Sequence, residues 1–208
     1  MTVSEKTVDW REYPPLELSA LLSLALDEIV EHGYDGTSVR KIANRAGVTV
    51  PALYYHFENK QAMLRELLDH AMRIVLTHAR AALDEAGGDG PARLSALVEA
   101  IVLYMAHHRD LAFLDSERRS LTPENRAHYV ARRDELEREL RDAIRRGVEQ
   151  GVFRTPYPDE CGRAILSMCQ GVAGWYRPGG PVDAPTMARR YADLALATVQ
   201  YQNQDGAT

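Results

Sequence analysis

Two tyrosines and a histidine stand side by side in "VTVPALYYHF", Val48 to Phe57. Their hydroxyls and ring nitrogens can hydrogen-bond phosphate oxygens, and small neighbours such as Pro51 and Ala52 can approach a thymine methyl in a major groove. The run predicts a short helix, because Thr49 is a capping residue and Pro51 falls in the first turn, where a missing N–H does no harm. Leu53 and Phe57, four residues apart, share its core face. At about 100° per residue, Pro51 and Tyr55 then point away from the core, Ala52 and Tyr54 flank it, and His56 lies near the boundary. Stacked core aromatics are the alternative, but they need a second apolar layer that the polar neighbours do not offer.

The elements that position this face lie just upstream. Leu18, Leu21, Leu22, Ala25 and Ile29 recur at helical spacing from Leu16 to Glu31, and Gly33 suits a C-cap. Thr37 or Ser38 can cap a second helix, "VRKIANRA", which Gly47 ends. Short helix, tight glycine turn, short helix is the spacing of a helix-turn-helix, with Ile42, Val48, Leu53 and Phe57 as its seam and Ala43 at the crossing. An ordinary αα-corner has the same spacing. Arg40, Lys41, Arg45 and Lys60 outweigh Glu58 here, in a chain of net charge −5. A basic patch on an acidic body suits a small DNA-contacting module on a larger non-DNA domain, and a chance fluctuation in a charged surface is the plain reading.

The stretch "GYDGTSVRKIANRAGVTVPALYYHFENKQAML", Gly33 to Leu64, resembles the DNA-binding domain of the TetR family of transcriptional regulators. The resemblance covers the first third of the chain and ties the glycines, the "SVRKIA" and "LYYHF" helices and the following lysine together. It implies that Ser38 and Thr49 bind phosphate or cap helices at the DNA, that Pro51, Ala52 and Tyr54 face bases, and that Tyr55, His56 and Lys60 hold phosphates. Thr37, Arg40 and Lys41 complete the expected DNA-facing set.

The rest of the 208 residues also reads as helical, and no alternating strand pattern occurs. The expected class is all-α: a loose polar arm over residues 1–15, a helix-turn-helix domain over 16–62, and a ligand-binding and dimerisation domain over 63–203. A long helix is expected from Asn59 to about Ala86, another from Thr122-Pro123 to Glu149 with Tyr129, Val130, Arg133, Leu136, Leu140, Ile144 and Val148 inward. Of the last two, Pro158 to Tyr176 carries Gly162, Gly171 and Gly174. Glycine costs up to about 1 kcal/mol in a helix, so the three imply a close helix contact or a ligand against backbone. Two apolar C-terminal helices suit a two-fold interface, with Ile165, Val172, Trp175, Tyr191 and Leu194 in it. The family resemblance implies the same homodimer, whose two recognition helices meet half-sites of a palindromic double-stranded operator about 34–36 Å apart.

The stretches "GVAGWYRPGGP" and "ERRSLTPENRAHYVARRDELERELRDAIRRGVEQGVF" resemble a subgroup of TetR-type repressors of fatty-acid or steroid-ring breakdown that respond to acyl-CoA thioesters. Such an effector needs an apolar tunnel, for which Tyr104, Phe113, Tyr129 and Met168 are candidates. It also needs cationic or stacking groups, for which Arg118, Arg119, Arg133, Trp175 and Arg177 are candidates. A solvated helix face accounts for most arginines equally well, and dimer packing for Trp175. The expected function is a homodimeric repressor released from its operator by this small-molecule effector.

A multidrug-type regulator opened by lipophilic cations is the nearest rival, although three phenylalanines and two tryptophans make a poor aromatic cage. An enzyme is the rival from another class. Adjacent His107 and His108 point about 100° apart on a helix and do not readily share a metal, and no HExxH, CxxC, GxSxG or P-loop occurs. No cofactor and no metal are expected. Cys161 and Cys169, about 12 Å apart along one helix, cannot form a disulfide. No apolar run approaches a membrane span and no secretory signal opens the chain, so a cytoplasmic location is expected.

Overall fold

The computed structural model describes residues 8–202. Among the described residues there are nine α-helices and no strand. They are α1 (Ala20–Gly36), α2 (Val39–Ala46), α3 (Val50–His56), α4 (Lys60–Ala86), α5 (Gly90–His107), α6 (Arg109–Phe113), α7 (Pro123–Glu149), α8 (Pro158–Trp175) and α9 (Ala184–Thr198), with a 3-10 helix at Leu114–Ser120. No helix among them is long and apolar enough to cross a membrane.

The described residues condense into two units, a head (Pro14–Arg73 and His108–Arg133) and a body (8–13, Ile74–His107 and 134–202). Both α4 and α7 begin in the head and end in the body. The expected boundary at residue 62 divides the chain differently, because α6, the 3-10 helix and the first turns of α7 pack with the helix-turn-helix. Gln61 shows why: its carboxamide donates to Ser120 O at 2.5 Å and accepts from Thr122 N at 3.1 Å.

In the head, Leu22, Ala25, Leu26 and Ile29 of α1 and Ile42 and Ala43 of α2 are buried. The Ser19 hydroxyl caps α1 by accepting from Leu22 N. Gly33, at φ 71°, breaks that helix near its end, a left-handed conformation that a Cβ disfavours. Thr37 closes the break: its hydroxyl is shared between the carbonyls of Glu28 and Gly33, each at 2.9 Å.

In the body, α5 is apolar on nearly every side and packs against α9 and α8. Its N-terminus meets the C-terminal end of α7 through bare backbone. A Cβ on Gly90 would stand 2.6 Å from Gly147 Cα, and one on Gly147 would stand 2.1 Å from the Phe153 ring. The buried stripe of α7 therefore runs Tyr129, Leu136, Leu140, Ala143, Ile144, while Val130 and Val148, expected inward, lie 37% and 38% exposed. Ile165 and Val172 are fully buried within their own chain, because they point from α8 into this core. That corrects their assignment to a dimer surface. Gly171 and Gly174 face open space rather than a neighbouring helix. Cys161 and Cys169 are free and buried, and burial pushes the Cys169 thiol up to about 12.

The segment expected to be a loose arm is docked from Trp10 to Tyr13; residues 1–7 lie outside the described residues. Trp10 is 3% exposed, and its indole N–H donates to Glu85 at 2.9 Å. Arg11 forks onto both oxygens of the same carboxylate, at 2.8 and 2.7 Å. Tyr13 stacks on His78 and on His107 and donates its hydroxyl to Ala100 O. A polar arm stays loose only if it has nothing to bury, and this one carries two large aromatic rings.

Candidate nucleic-acid interface

Two side-chain caps and one glycine build the candidate face. The Ser38 hydroxyl accepts from Lys41 N at 3.2 Å and opens α2. Gly47, at φ 67°, ends α2. The Thr49 hydroxyl accepts from Ala52 N at 3.3 Å and opens α3, with Pro51 in its first turn. Leu53 is fully buried and Phe57 nearly so, which fixes the rotation of α3. Pro51, Ala52, Tyr54, Tyr55 and His56 consequently lie exposed. Tyr55 is 88% exposed, and Tyr54 48%. Val48, expected in the seam, is 36% exposed, because the turn carries it past the crossing.

The cations divide into two sets. Arg40 and Lys41 stand on the exposed side of α2, and the Lys41 ammonium donates to Gly36 O. Arg45 instead binds Glu28 at 2.8 Å and Glu31 at 3.2 Å. Those hydrogen bonds, Glu28's first, raise the pKa of its guanidinium. Glu28, Glu31 and His32 bring their ligand atoms within 4.8 Å of one another. Arg45 already holds both carboxylates, so the group is an ion-pair knot between α1 and α2.

Lys60 is also committed. Its ammonium donates to Tyr34 O and Thr37 O, both at 2.8 Å, and lies 3.9 Å from the Tyr34 ring centroid. A cation at the first residue of α4 sits at the wrong end of that helix's dipole, and it reaches back to the electron-rich carbonyl end of α1. Thr37 is 2% exposed with its hydroxyl consumed inside the head. Both expected DNA-facing assignments are corrected accordingly: Thr37 and Lys60 hold the end of α1.

The expected effector residues come together only in part. Asp115 gathers three of them: Arg133 Nε at 3.3 Å, Arg118 Nη1 at 3.1 Å and the Tyr129 hydroxyl, which donates at 2.9 Å. Phe113 is 43% exposed rather than inside a tunnel, and Arg119 is exposed as well. Tyr104 is buried and Met168 half-buried within the body. Trp175 and Arg177 lie exposed at the end of α8. Asp115 and Gln61 escaped the sequence reading. A lone Asp in "FLDSERRS" and a Gln after the expected lysine carry no spacing signal, although two arginines beside an Asp do hint at a paired cluster.

Residues 21–67 match the family described as "Bacterial regulatory proteins, tetR family", and residues 87–199 match the "Tetracyclin repressor-like, C-terminal domain". The HTH-type transcriptional repressor KstR2 of Rhodococcus jostii (strain RHA1) is 34% identical over 185 residues, 85% of this chain and 87% of that protein. The class A tetracycline repressor of Escherichia coli is 42% identical over 64 residues, 31% of this chain and 30% of the relative. Among solved structures, the TetR family transcriptional regulator PfmR from Thermus thermophilus has a TM-score of 0.77 at 35% identity, covering 89% of this chain and all of that one. The ketosteroid transcriptional regulator KstR2 of Mycobacterium tuberculosis has a TM-score of 0.79 at 28% identity, covering 88% and 94%. These relatives are regulators and not enzymes. A capped recognition helix with its phenols outward, on a chain matched along most of its length, belongs to the TetR family of helix-turn-helix, DNA-binding transcriptional repressors.

Proposed function

We propose that the chain acts as a homodimer on a palindromic operator and is released by an acyl-CoA thioester. The observation that carries the DNA reading is the exposure of Tyr54, Tyr55 and His56 on a helix held from its other side by buried Leu53 and, at its C-cap, Phe57. Pro51, Ala52 and Tyr54 face bases. Tyr55, His56, Arg40 and Lys41 hold phosphates, and Ser38 and Thr49 orient the two helices on the duplex. Support for the dimer comes from the outer face of α8 and α9. Trp175 and Leu194 are 49% and 52% exposed there, and Gly171 and Gly174 leave α8 backbone bare.

Support for the effector is chemical. Around Asp115 two guanidiniums meet one carboxylate, a net positive group for which an anionic phosphate competes. A KstR2 relative is named a ketosteroid regulator, which favours a thioester with a fused-ring or long-chain acyl part. A coupling of about 1–3 kcal/mol lowers operator affinity about 5–150-fold.

The test is a gel-shift and anisotropy assay on duplexes selected from a random pool, with sedimentation of the free protein. A dimer that binds a palindrome and leaves it on addition of a fused-ring or long-chain CoA thioester is expected. Release by cationic dyes instead would move the chain to the drug-sensing reading, and a monomer without affinity for any duplex would end the proposal.

A further inference from the structure

We infer that Gln61 is the positioning residue through which the 3-10 helix Leu114–Ser120 sets the helix-turn-helix. This deepens, and in its regulatory part rests on, the effector reading given above. A carboxamide offers two donor protons and one acceptor oxygen, and here they serve separate elements. The Gln61 nitrogen donates to the Tyr34 hydroxyl at 2.8 Å and to Ser120 O at 2.5 Å, and its oxygen accepts from Thr122 N at 3.1 Å. The orientation is not arbitrary, because Ser120 O can only accept and Thr122 N can only donate. Turning the amide over would break both bonds.

Each end of this joint is stiff. On one side, Leu121 N bonds Arg118 O, and the Arg126 guanidinium donates to Arg119 O and Leu121 O. The corner therefore moves together with the helix that carries Asp115 and Arg118. On the other side Tyr34 is 7% exposed, follows the Gly33 break, and gives its carbonyl to Lys60. Thr37, tied to the same ammonium, precedes the Ser38 cap of α2. A displacement of the Ser120–Thr122 corner thus reaches the start of α2 through a chain of hydrogen bonds and the buried Tyr34 side chain. Packed elements of this kind switch between discrete arrangements rather than deforming smoothly.

A merely structural glutamine would lower stability and leave regulation alone, so the experiment reads coupling. Operator affinity is measured for wild type, Asp115→Asn, Gln61→Met and the double variant, with no ligand present. Asp115→Asn should change affinity at least threefold in the wild-type background and less than about twofold beside Gln61→Met, twofold being about the error of additivity. Additive effects, or no effect of Asp115→Asn in either background, overturn the inference. Gln61→Glu, which keeps the acceptor and loses both donors, serves if Gln61→Met unfolds, and loss of helix content in both makes the residue structural and ends the proposal. Octanoyl-CoA and cholyl-CoA are then titrated onto the operator complex. The release seen with wild type should disappear in Gln61→Met while binding of the thioester to free protein stays within about threefold. A wild type that ignores both thioesters defeats the effector reading, and the ligand-free cycle still decides the role of Gln61.

Discussion

The ammonium of Lys60 and the carbonyl of Tyr34 lie 2.8 Å apart, with the same ammonium 3.9 Å from the Tyr34 ring. The lysine that follows the recognition helix thus ends on protein. Lys60→Ala removes two charge-assisted hydrogen bonds at a half-buried site and should destabilise the protein by about 1–3 kcal/mol, read by urea unfolding. Its effect on the salt dependence of DNA binding should be nil. Arg40→Ala should do the reverse, leaving stability within about 0.5 kcal/mol and flattening the slope of log affinity on log salt by about one unit per lost phosphate contact. A Lys60→Ala slope that falls by one unit would return the lysine to the phosphate list.

Tyr55 stands 88% exposed, edge-on to His56 with 5.4 Å between ring centroids. Nothing inside the head needs its hydroxyl. Tyr55→Phe should therefore leave the melting temperature unchanged and cost about 1 kcal/mol of affinity for selected and random duplexes alike, as loss of a phosphate hydrogen bond does. Tyr54→Phe, at a position proposed to face bases, should lower affinity for the selected duplex more than for random DNA. Anisotropy titrations with both duplexes separate the two residues.

How much of this was legible beforehand depends on the range of the interaction. Leu53, Phe57 and the caps Ser38 and Thr49 were readable because helix period and capping act within four residues. Lys60 is expected at DNA because a sequence shows a charge but not the carbonyls that claim it from 23 and 26 residues away. The Thr37 hydroxyl is claimed from nearer, by carbonyls 9 and 4 residues back, but only because Gly33 breaks α1 between them. The docking of Trp10 onto Glu85, 75 residues distant, is of the same long-range kind as the Lys60 bonds. Ile165 and Val172 had the right apolar period for a buried stripe. A periodic pattern does not say whether the covering surface belongs to the same chain.

The Trp10–Arg11–Glu85 clamp gives a pH signature. Hydrogen bonds from Arg11 and then Trp10 push the Glu85 carboxyl down to about 2 from 4.5. A carboxylate with a depressed folded pKa contributes stability that is complete above its unfolded value and is lost as pH falls toward the folded one. The clamp should accordingly hold at pH 6 and open between about pH 4.5 and 2. Burial also lowers the His107 pKa from 6.5, so its contribution has the same sign and begins to fade below that value. In a Trp175→Phe background, Trp10 emission should shift to the red across this acid range. Glu85→Gln should show the red shift already at neutral pH, and an unshifted Glu85→Gln spectrum would mean the indole is held by packing alone.

Two glycines, similar in sequence context and opposite in surroundings, give the last prediction. A methyl on Gly147 would stand 2.1 Å from the ring of Phe153, itself 2% exposed. Ala normally gains up to about 1 kcal/mol over Gly inside a helix, but overpacking costs about 1–3 kcal/mol or more. The balance should make Gly147→Ala destabilising. Gly171 meets nothing within 4 Å, so the same change there keeps its helix gain and should stabilise the monomer fold. Gly171→Arg then tests what covers the face. If a second copy packs on that bare backbone, a long charged side chain between two helices should convert dimer to monomer and abolish operator binding, with the far-UV spectrum unchanged. Sedimentation velocity that still shows a dimer for Gly171→Arg would move the two-fold contact off this face of α8.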